Sequence, residues 1–263
     1  MCRSQDEGGR RCPDSRALRA LTAAELAPPA REGVPPVEWA ATADVAALWD
    51  DSGPQVACAT VRAITMVRDI EPKATSDIRA LAADVGGRAA DLEFRMKSPT
   101  SLARKITTKQ ATAFGQGREI SAESVVAGLG DTLRYTVALT DHDTIPDAAR
   151  TTVRQLREHG WEISEIESTY VSGNPYKGIH IIGRPPGGPQ TEVQVHSELS
   201  LAAKTDTHLD YEISRDLDAP ASERLAADAR MRARQDQVLM PEGIDTLNEI
   251  DGLAVSKKAY PRR

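Results

Sequence analysis

Cysteine is rare in this chain. Cys2, Cys12 and Cys58 are odd in number and widely spaced, which argues against a disulfide framework and against a four-ligand zinc site. Long hydrophobic runs are missing as well. No stretch approaches the roughly 20 apolar residues a membrane helix needs. The first thirty residues offer neither an apolar segment nor a cleavage-like site, which argues against a signal peptide. A cytoplasmic protein with no membrane partner is therefore expected. Nor is positive charge in excess: 33 Lys+Arg stand against 39 Asp+Glu, for a net charge of −6. That balance excludes a protein that coats nucleic acid nonspecifically, but not a local basic site.

What is present fits a globular protein. The 263 residues are 40% hydrophobic and 27% charged, and a chain of this length can remove roughly 70–75% of its unfolded surface from water. Residues 1–36 hold Pro13, Pro28, Pro29, Pro35 and Pro36 with Gly8, Gly9 and Gly33. Such a density of breakers predicts a flexible leader, with at most a short helix at 15–25. Residues 37–92 turn Ala-rich and helical. Val61, Ile64, Val67 and Ile70 repeat every three residues, and Ile78, Leu81, Ala82 and Val85 suggest a further helix over 74–93.

The middle of the chain changes period. Leu133–Leu139 alternates as a strand, 147–159 reads as a helix stopped by Gly160, and 161–171 and 178–183 read as strands. Arg184-Pro-Pro-Gly-Gly-Pro189 is a turn that makes a hairpin of its flanks. In the strand Thr191–His196, Val193 and Val195 point one way, and Glu192, Gln194 and His196 the other. Ser197 caps a following helix, 219–239 is a final helix, and about the last fifteen residues are expected to be loose. The sum is an α+β domain, a mixed sheet of about five strands flanked by helices. Its parts are a leader (1–36), a catalytic-type domain (37–216), and a C-terminal helix and tail (217–263).

Three stretches carry chemistry. In Arg95-Met-Lys97-Ser98-Pro99-Thr-Ser101-Leu-Ala-Arg104-Lys105, Ser98 caps a helix that Pro99 opens. Ser101 and Lys105 then share one face, so backbone N–H groups, a hydroxyl and cations meet where a polyphosphate could bind. Asn174-Pro-Tyr176-Lys177-Gly178-Ile-His180 is a turn that presents an aromatic ring able to stack on a nucleobase. Glu192 and Gln194 place two oxygen-bearing side chains on one strand face, a start for Mg²⁺.

In this order, the three stretches resemble the synthetase domain of the RelA/SpoT family of nucleotide pyrophosphokinases. The family's R-x-K-x-x-x-S-x-x-x-K is matched by Arg95, Lys97, Ser101 and Lys105. Its N-x-Y-x-x-x-H is matched by Asn174, Tyr176 and His180, and its E-[IV]-Q-[IV] by Glu192-Val-Gln194-Val. Four fixed residues arise by chance about once in 10⁵ starts at average usage, and the second motif in the right order makes coincidence untenable.

The resemblance implies that Arg95 stacks on the adenine of ATP while Lys97, Ser101 and Lys105 hold its phosphates. It implies that Tyr176 stacks on the acceptor base, with Asn174, Lys177, His180 and His196 around the acceptor. Glu192 would bind Mg²⁺ and activate the acceptor 3′-hydroxyl, supported by Gln194. Asp131 would be the second catalytic and metal carboxylate. The chain departs from the family in reading Asp131-x-x-Arg134 where the long enzymes read D-x-x-[GA]-x-R. His196 also stands where many members carry arginine. His208 and Tyr211 echo a closing helix of the family and are expected to be structural. His142-Asp143 reads as a loop, not as a hydrolase half.

The expected activity transfers pyrophosphate from ATP to a nucleotide 3′-hydroxyl, a guanine nucleotide being the usual acceptor. Two variants stand beside it: adenine-nucleotide acceptors, and a toxic relative that modifies the 3′ end of tRNA. For the last, Arg224, Arg230, Arg232, Arg234, Lys257, Lys258, Arg262 and Arg263 are the cations that could meet phosphates. An inactive nucleotide-binding module is the reading from another class. The resemblance leaves open an antitoxin partner and a homo-oligomer.

Overall fold

The computed structural model describes residues 17–18, 20–39, 45–216 and 218–261. The chain divides into two compact units, residues 1–72 with 93–133, and residues 73–92 with 134–263.

The first unit is helical. It holds α1 (Ala23–Leu26), α2 (Val45–Ser52), most of α3 (Pro54–Asp84), α4 (Pro99–Gly115) and α5 (Ala122–Ala127). The apolar spacing of α3 buries Val61, Ile64 and Val67, while α4 packs against both α2 and α5 through buried Leu102 and Ile106. The helices expected around residues 61–70 and over 74–93 therefore form one long helix, α3. Pro72 lies inside it, forfeiting a ladder hydrogen bond, and marks the point at which the chain leaves one unit for the other. Cys58 on α3 is disulfide-bonded. Part of the expected leader, 1–16, lies outside the described residues. In the rest, Thr22 caps α1 in a capping box, Leu18 and Leu26 are buried, and Arg31 pairs with Glu71. Buried leucines and an ion pair supply the order that the proline and glycine content seemed to deny.

The second unit is built on a seven-stranded mixed sheet, two strands more than expected. Its strands are β1 (Gly87–Ala90), β2 (Arg134–Leu139), β3 (Glu162–Ser168), β4 (Ile179–Arg184), β5 (Thr191–Ser197), β6 (Glu249–Ile250) and β7 (Leu253–Lys257), in the order β1-β2-β5-β4-β3-β7-β6. The helices here are α6 (Ile145–Glu158), α7 (Glu198–Asp206), α8 (His208–Arg215) and α9 (Ala221–Asp236). The two unforeseen regions of strand sit at the sheet's ends. β1 falls where the helix over 74–93 was predicted. Gly86 takes a left-handed φ of 73° that ends α3, and a Cβ at Gly87 would stand 2.5 Å from the Ala138 carbonyl oxygen of the adjoining strand. The expected loose tail instead forms β6 and β7, with β7 parallel to β3 and Ile250 and Val255 buried.

The alternation of β5 sets up two faces. Tyr135, Val137, Val193, Val195, Ile179 and Ile181 are buried on one, with α6 packed against β5 and β3. The register pairs Arg134 with Glu192, Thr136 with Gln194, and His180 with Gln194 on the other. The hairpin at 184–189 joins β4 to β5 as the Pro-Gly turn predicts. Val255→Asp would set an unpaired carboxylate on β7 and is expected to cost about 3 kcal/mol or more in urea unfolding. An unchanged midpoint would remove β7 from the cooperative fold.

Candidate functional site

Within the first unit, the helix start anticipated from Ser98 and Pro99 forms as predicted. The Ser98 side chain accepts from the Ser101 N–H at 3.2 Å, and Pro99 opens the helix. Lys97, before the cap, and Lys105, two turns on, converge on one carboxylate. Their ammonium groups lie 3.2 and 2.7 Å from Oδ2 of Asp131. Burial pushes the Asp131 carboxyl up, but Lys97's charge and the Lys105 hydrogen bond outweigh it and hold it below the usual range. Oδ1 of Asp131 is buried and has no hydrogen-bond partner among the described residues.

Arg95 is not brought to this cluster. It is 3% exposed, with Nε 2.6 Å from Glu71 and a nitrogen donating to the Pro35 carbonyl at 2.9 Å. In this arrangement its guanidinium face holds helix α3 and the leader rather than offering itself to a ring.

Within the second unit, the polar face of β5 is buried, with Glu192 9%, Gln194 4% and His196 0% exposed. An ordinary solvated strand face would not be. His180 from β4 meets Glu192, with Nδ1 2.5 Å from Oε1. Burial pushes Glu192 up, yet the His180 bond, the charge of Arg134 and a Gln194 hydrogen bond together hold it below its ordinary value. Nε2 of His180 is buried with no partner among the described residues.

Tyr176 sits edge-on to both histidines, its ring centroid 5.2 Å from His180 and 5.3 Å from His196. Its hydroxyl shares a 2.6 Å hydrogen bond with Nε2 of His196, whose Nδ1 lies 3.1 Å from Oγ of Ser200. Burial pushes the His196 imidazole well down, so it is neutral. The tautomer with Nδ1–H donating to Ser200 and Nε2 accepting from Tyr176 satisfies both contacts. Gly178 is required beside this pair, because a Cβ there would stand 2.7 Å from Cε1 of His196 and 3.1 Å from the Tyr176 oxygen.

Asn174 and Lys177 serve the scaffold. Asn174 is 1% exposed; its amide donates to the carbonyls of Thr169 and Lys258 and accepts from the Tyr260 N–H, at 2.9, 2.8 and 2.9 Å. Lys177 donates to the Gln235 and Val238 carbonyls at 2.8 and 2.6 Å, satisfying the C-terminal end of α9. Arg232 adds contacts to the carbonyls of Gly173 and Pro261. The turn that carries Tyr176 is thereby tied to α9 and to the C-terminal strand.

Two further cations lie on this face. Arg134, whose spacing from Asp131 departs from that of the long enzymes, acts through its charge on Glu192, His196 and Tyr176. Lys204 on α7 places Nζ 3.3 Å from Oε1 of Gln194. It could have been found from Ser197: Ser200 and Lys204 are four apart on the capped helix and share a face, and Ser200 touches His196.

The proposed tRNA-facing cations are mostly engaged internally. Arg230 pairs with Asp210, Arg232 with Asp228, Arg234 with Asp206 and Lys258 with Glu167, while Lys257 donates to the Ile244 carbonyl. Arg262 and Arg263 lie outside the described residues. His142 lies in a loop and bridges Ser197 and the Leu239 carbonyl, while Tyr211 on α8 meets Arg215.

No protein-family model and no curated protein matches the chain. Solved structures do. One is the complex between the Type VI effector Tas1 and its immunity protein, at 22% identity and a TM-score of 0.41 over 63% of this chain and 90% of that one. Another is small alarmone synthetase 1 from Bacillus subtilis, at 15% and 0.45 over 65% and 91%. A third is a GTP pyrophosphokinase family protein from Streptococcus pneumoniae, at 16% and 0.39 over 66% and 85%. At these identities and TM-scores the likenesses carry no argument about chemistry, which rests on the residues themselves. Among the described residues, no helix is long and apolar enough to cross a membrane.

Two outcomes follow from the second unit. Asn174→Ala removes this partner from the part-buried Lys258 carbonyl and Tyr260 N–H and one of two bonds from the Thr169 carbonyl, and is expected to cost about 1–3 kcal/mol of stability by denaturant titration; a stable variant with lost ligand affinity would instead make Asn174 a binding residue. Gly178→Ala should break the Tyr176–His196 bond, read as a changed His196 ¹⁵N signature in a protein that still melts cooperatively.

Proposed function

We propose that the chain is an ATP-dependent pyrophosphokinase that moves the β,γ-pyrophosphate of ATP to the 3′-hydroxyl of a nucleotide and releases AMP. The observation that carries this reading is Glu192, a nearly buried carboxylate kept ionised by His180 and Arg134 beside the ring of Tyr176. A carboxylate so held is a general base for a sugar hydroxyl, and the ring beside it is a platform for the acceptor base.

In the reaction, the acceptor 3′-oxygen forms a bond to the β-phosphorus while the bond from that phosphorus to the oxygen bridging to the α-phosphate breaks. AMP leaves with the bridging oxygen, and Glu192 accepts the hydroxyl proton. His180 steadies the carboxylate through Nδ1. Lys97 and Lys105 bind the donor's phosphates and offset the charge on them, which is most of the work in phosphoryl transfer. Ser101, in the first turn of α4, adds a hydroxyl at the same helix start.

Asp131 in the first unit and Glu192 in the second are each proposed as a carboxylate toward Mg²⁺. The unpartnered Oδ1 of Asp131 fits a hard cation. Mg²⁺ binds through one or two carboxylates together with substrate phosphates and would supply charge neutralisation there.

A guanine nucleotide such as GDP or GTP is the acceptor we favour; adenine nucleotides are the same chemistry with another base. A tRNA acceptor is the second reading; of its expected cations, Arg230, Arg232, Arg234, Lys257 and Lys258 are paired with the protein's own acids and carbonyls, which ranks it behind a free nucleotide. The test supplies ATP labelled on its β- and γ-phosphates, Mg²⁺, and in separate tubes GDP, GTP, ADP, ATP and deacylated tRNA. Label is expected in a free nucleotide and absent from tRNA. Glu192→Gln should lower transfer by about 10²–10⁴-fold with an unchanged melting temperature, and a fully active variant would sink the assignment.

A further inference from the structure

We propose that Arg134 and Lys204 form an anion subsite for the 5′-phosphate groups of the acceptor nucleotide, an inference that rests on reading the polar face of β5 as the acceptor half. Arg134 opens β2 in register with Glu192. Among the described residues, its guanidinium makes neither a hydrogen bond nor an ion pair. Lys204 reaches the same face from α7, its Nζ over Oε1 of Gln194, and its nearest carboxylate oxygen, on Asp91, is 3.9 Å away.

The two cations act on each other. Burial, and then the charge of Arg134, push Lys204 down to about 8 against the opposing pull of Asp91 and Glu192. Glu192 attracts both cations but is itself bound by His180 and Gln194, and His196 is neutral, so the pair retains donors for a further anion. Holding two cations on one partly buried face costs free energy that a bound phosphate would return. A planar arginine fork beside a lysine point charge is a donor set matched to phosphate oxygens. The lysines of the first unit are occupied by Asp131 and assigned to ATP, so this second pair answers to a different group.

The experiment compares guanosine with GDP, and adenosine with ADP, by calorimetric titration of the full chain and of its Lys204→Met and Lys204→Arg variants. Pyrophosphate transfer from ATP and thermal melting are recorded in parallel. Lys204→Met is expected to weaken diphosphate binding about tenfold or more while nucleoside binding and the KM for ATP change less than about twofold. Its melting temperature should hold or rise, because a poorly paired charge leaves a buried place, and Lys204→Arg should recover most of the affinity. Equal losses for nucleoside and diphosphate, unchanged diphosphate binding, or no binding of either diphosphate by the parent chain would overturn the proposal. Phosphate-dependent binding without any transfer would sink the enzymatic reading and leave the subsite standing. Transfer that persists without phosphate dependence would sink the subsite alone.

Discussion

A carboxylate taken almost wholly out of water costs several kcal/mol unless other groups replace its hydration. Glu192 meets this constraint on the buried face of β5, and much of the second unit is arranged around it. His180 must come from the neighbouring antiparallel strand, which requires the tight 184–189 hairpin. Arg134 must come from the parallel strand on the other side, which requires the crossover through α6, β3 and β4. Gln194 lies two residues on, where the pleat returns to the same face. The apolar residues between them anchor the opposite side of the sheet, so the charged face is held by a rigid aliphatic layer.

The second constraint is the placement of Tyr176. A ring on a turn is useful as a platform only if the turn is held. Asn174 and Lys177 spend their hydrogen bonds on backbone carbonyls and an N–H of α9, the C-terminal strand and the turn itself. His196 then fixes the ring through its hydroxyl. Residues that motif matching would assign to ligand contact thus act one layer behind it.

In the first unit the same division holds. Lys97, Lys105 and Asp131 form a cluster whose charges already answer one another, so a polyphosphate binding there would exchange an existing partner for a new one. Arg95, from the same motif, is turned inward onto Glu71 instead. A motif residue can supply charge to a ligand or to the fold, and its burial decides between the two.

The sequence by itself determined the α+β class, the helix caps at Ser98 and Ser197, the 184–189 hairpin, and the polar alternation of Glu192, Gln194 and His196. Each is local: a cap, a turn or a period-2 pattern is complete within a few residues, so its physics can be read without knowing the rest of the chain. Tertiary structure decided what no short window contains. β1 is a four-residue strand of small side chains, and β7 is ordered by pairing with β3 some ninety residues away; neither has a periodicity long enough to see. That Lys204 lies over Gln194, that Arg134 faces Glu192, and that Asn174 and Lys177 face backbone are all results of register and helix docking. The reason is energetic: a polar side chain buried by the fold takes whichever partner the packing brings within hydrogen-bond distance, and that partner is set by contacts distant in sequence.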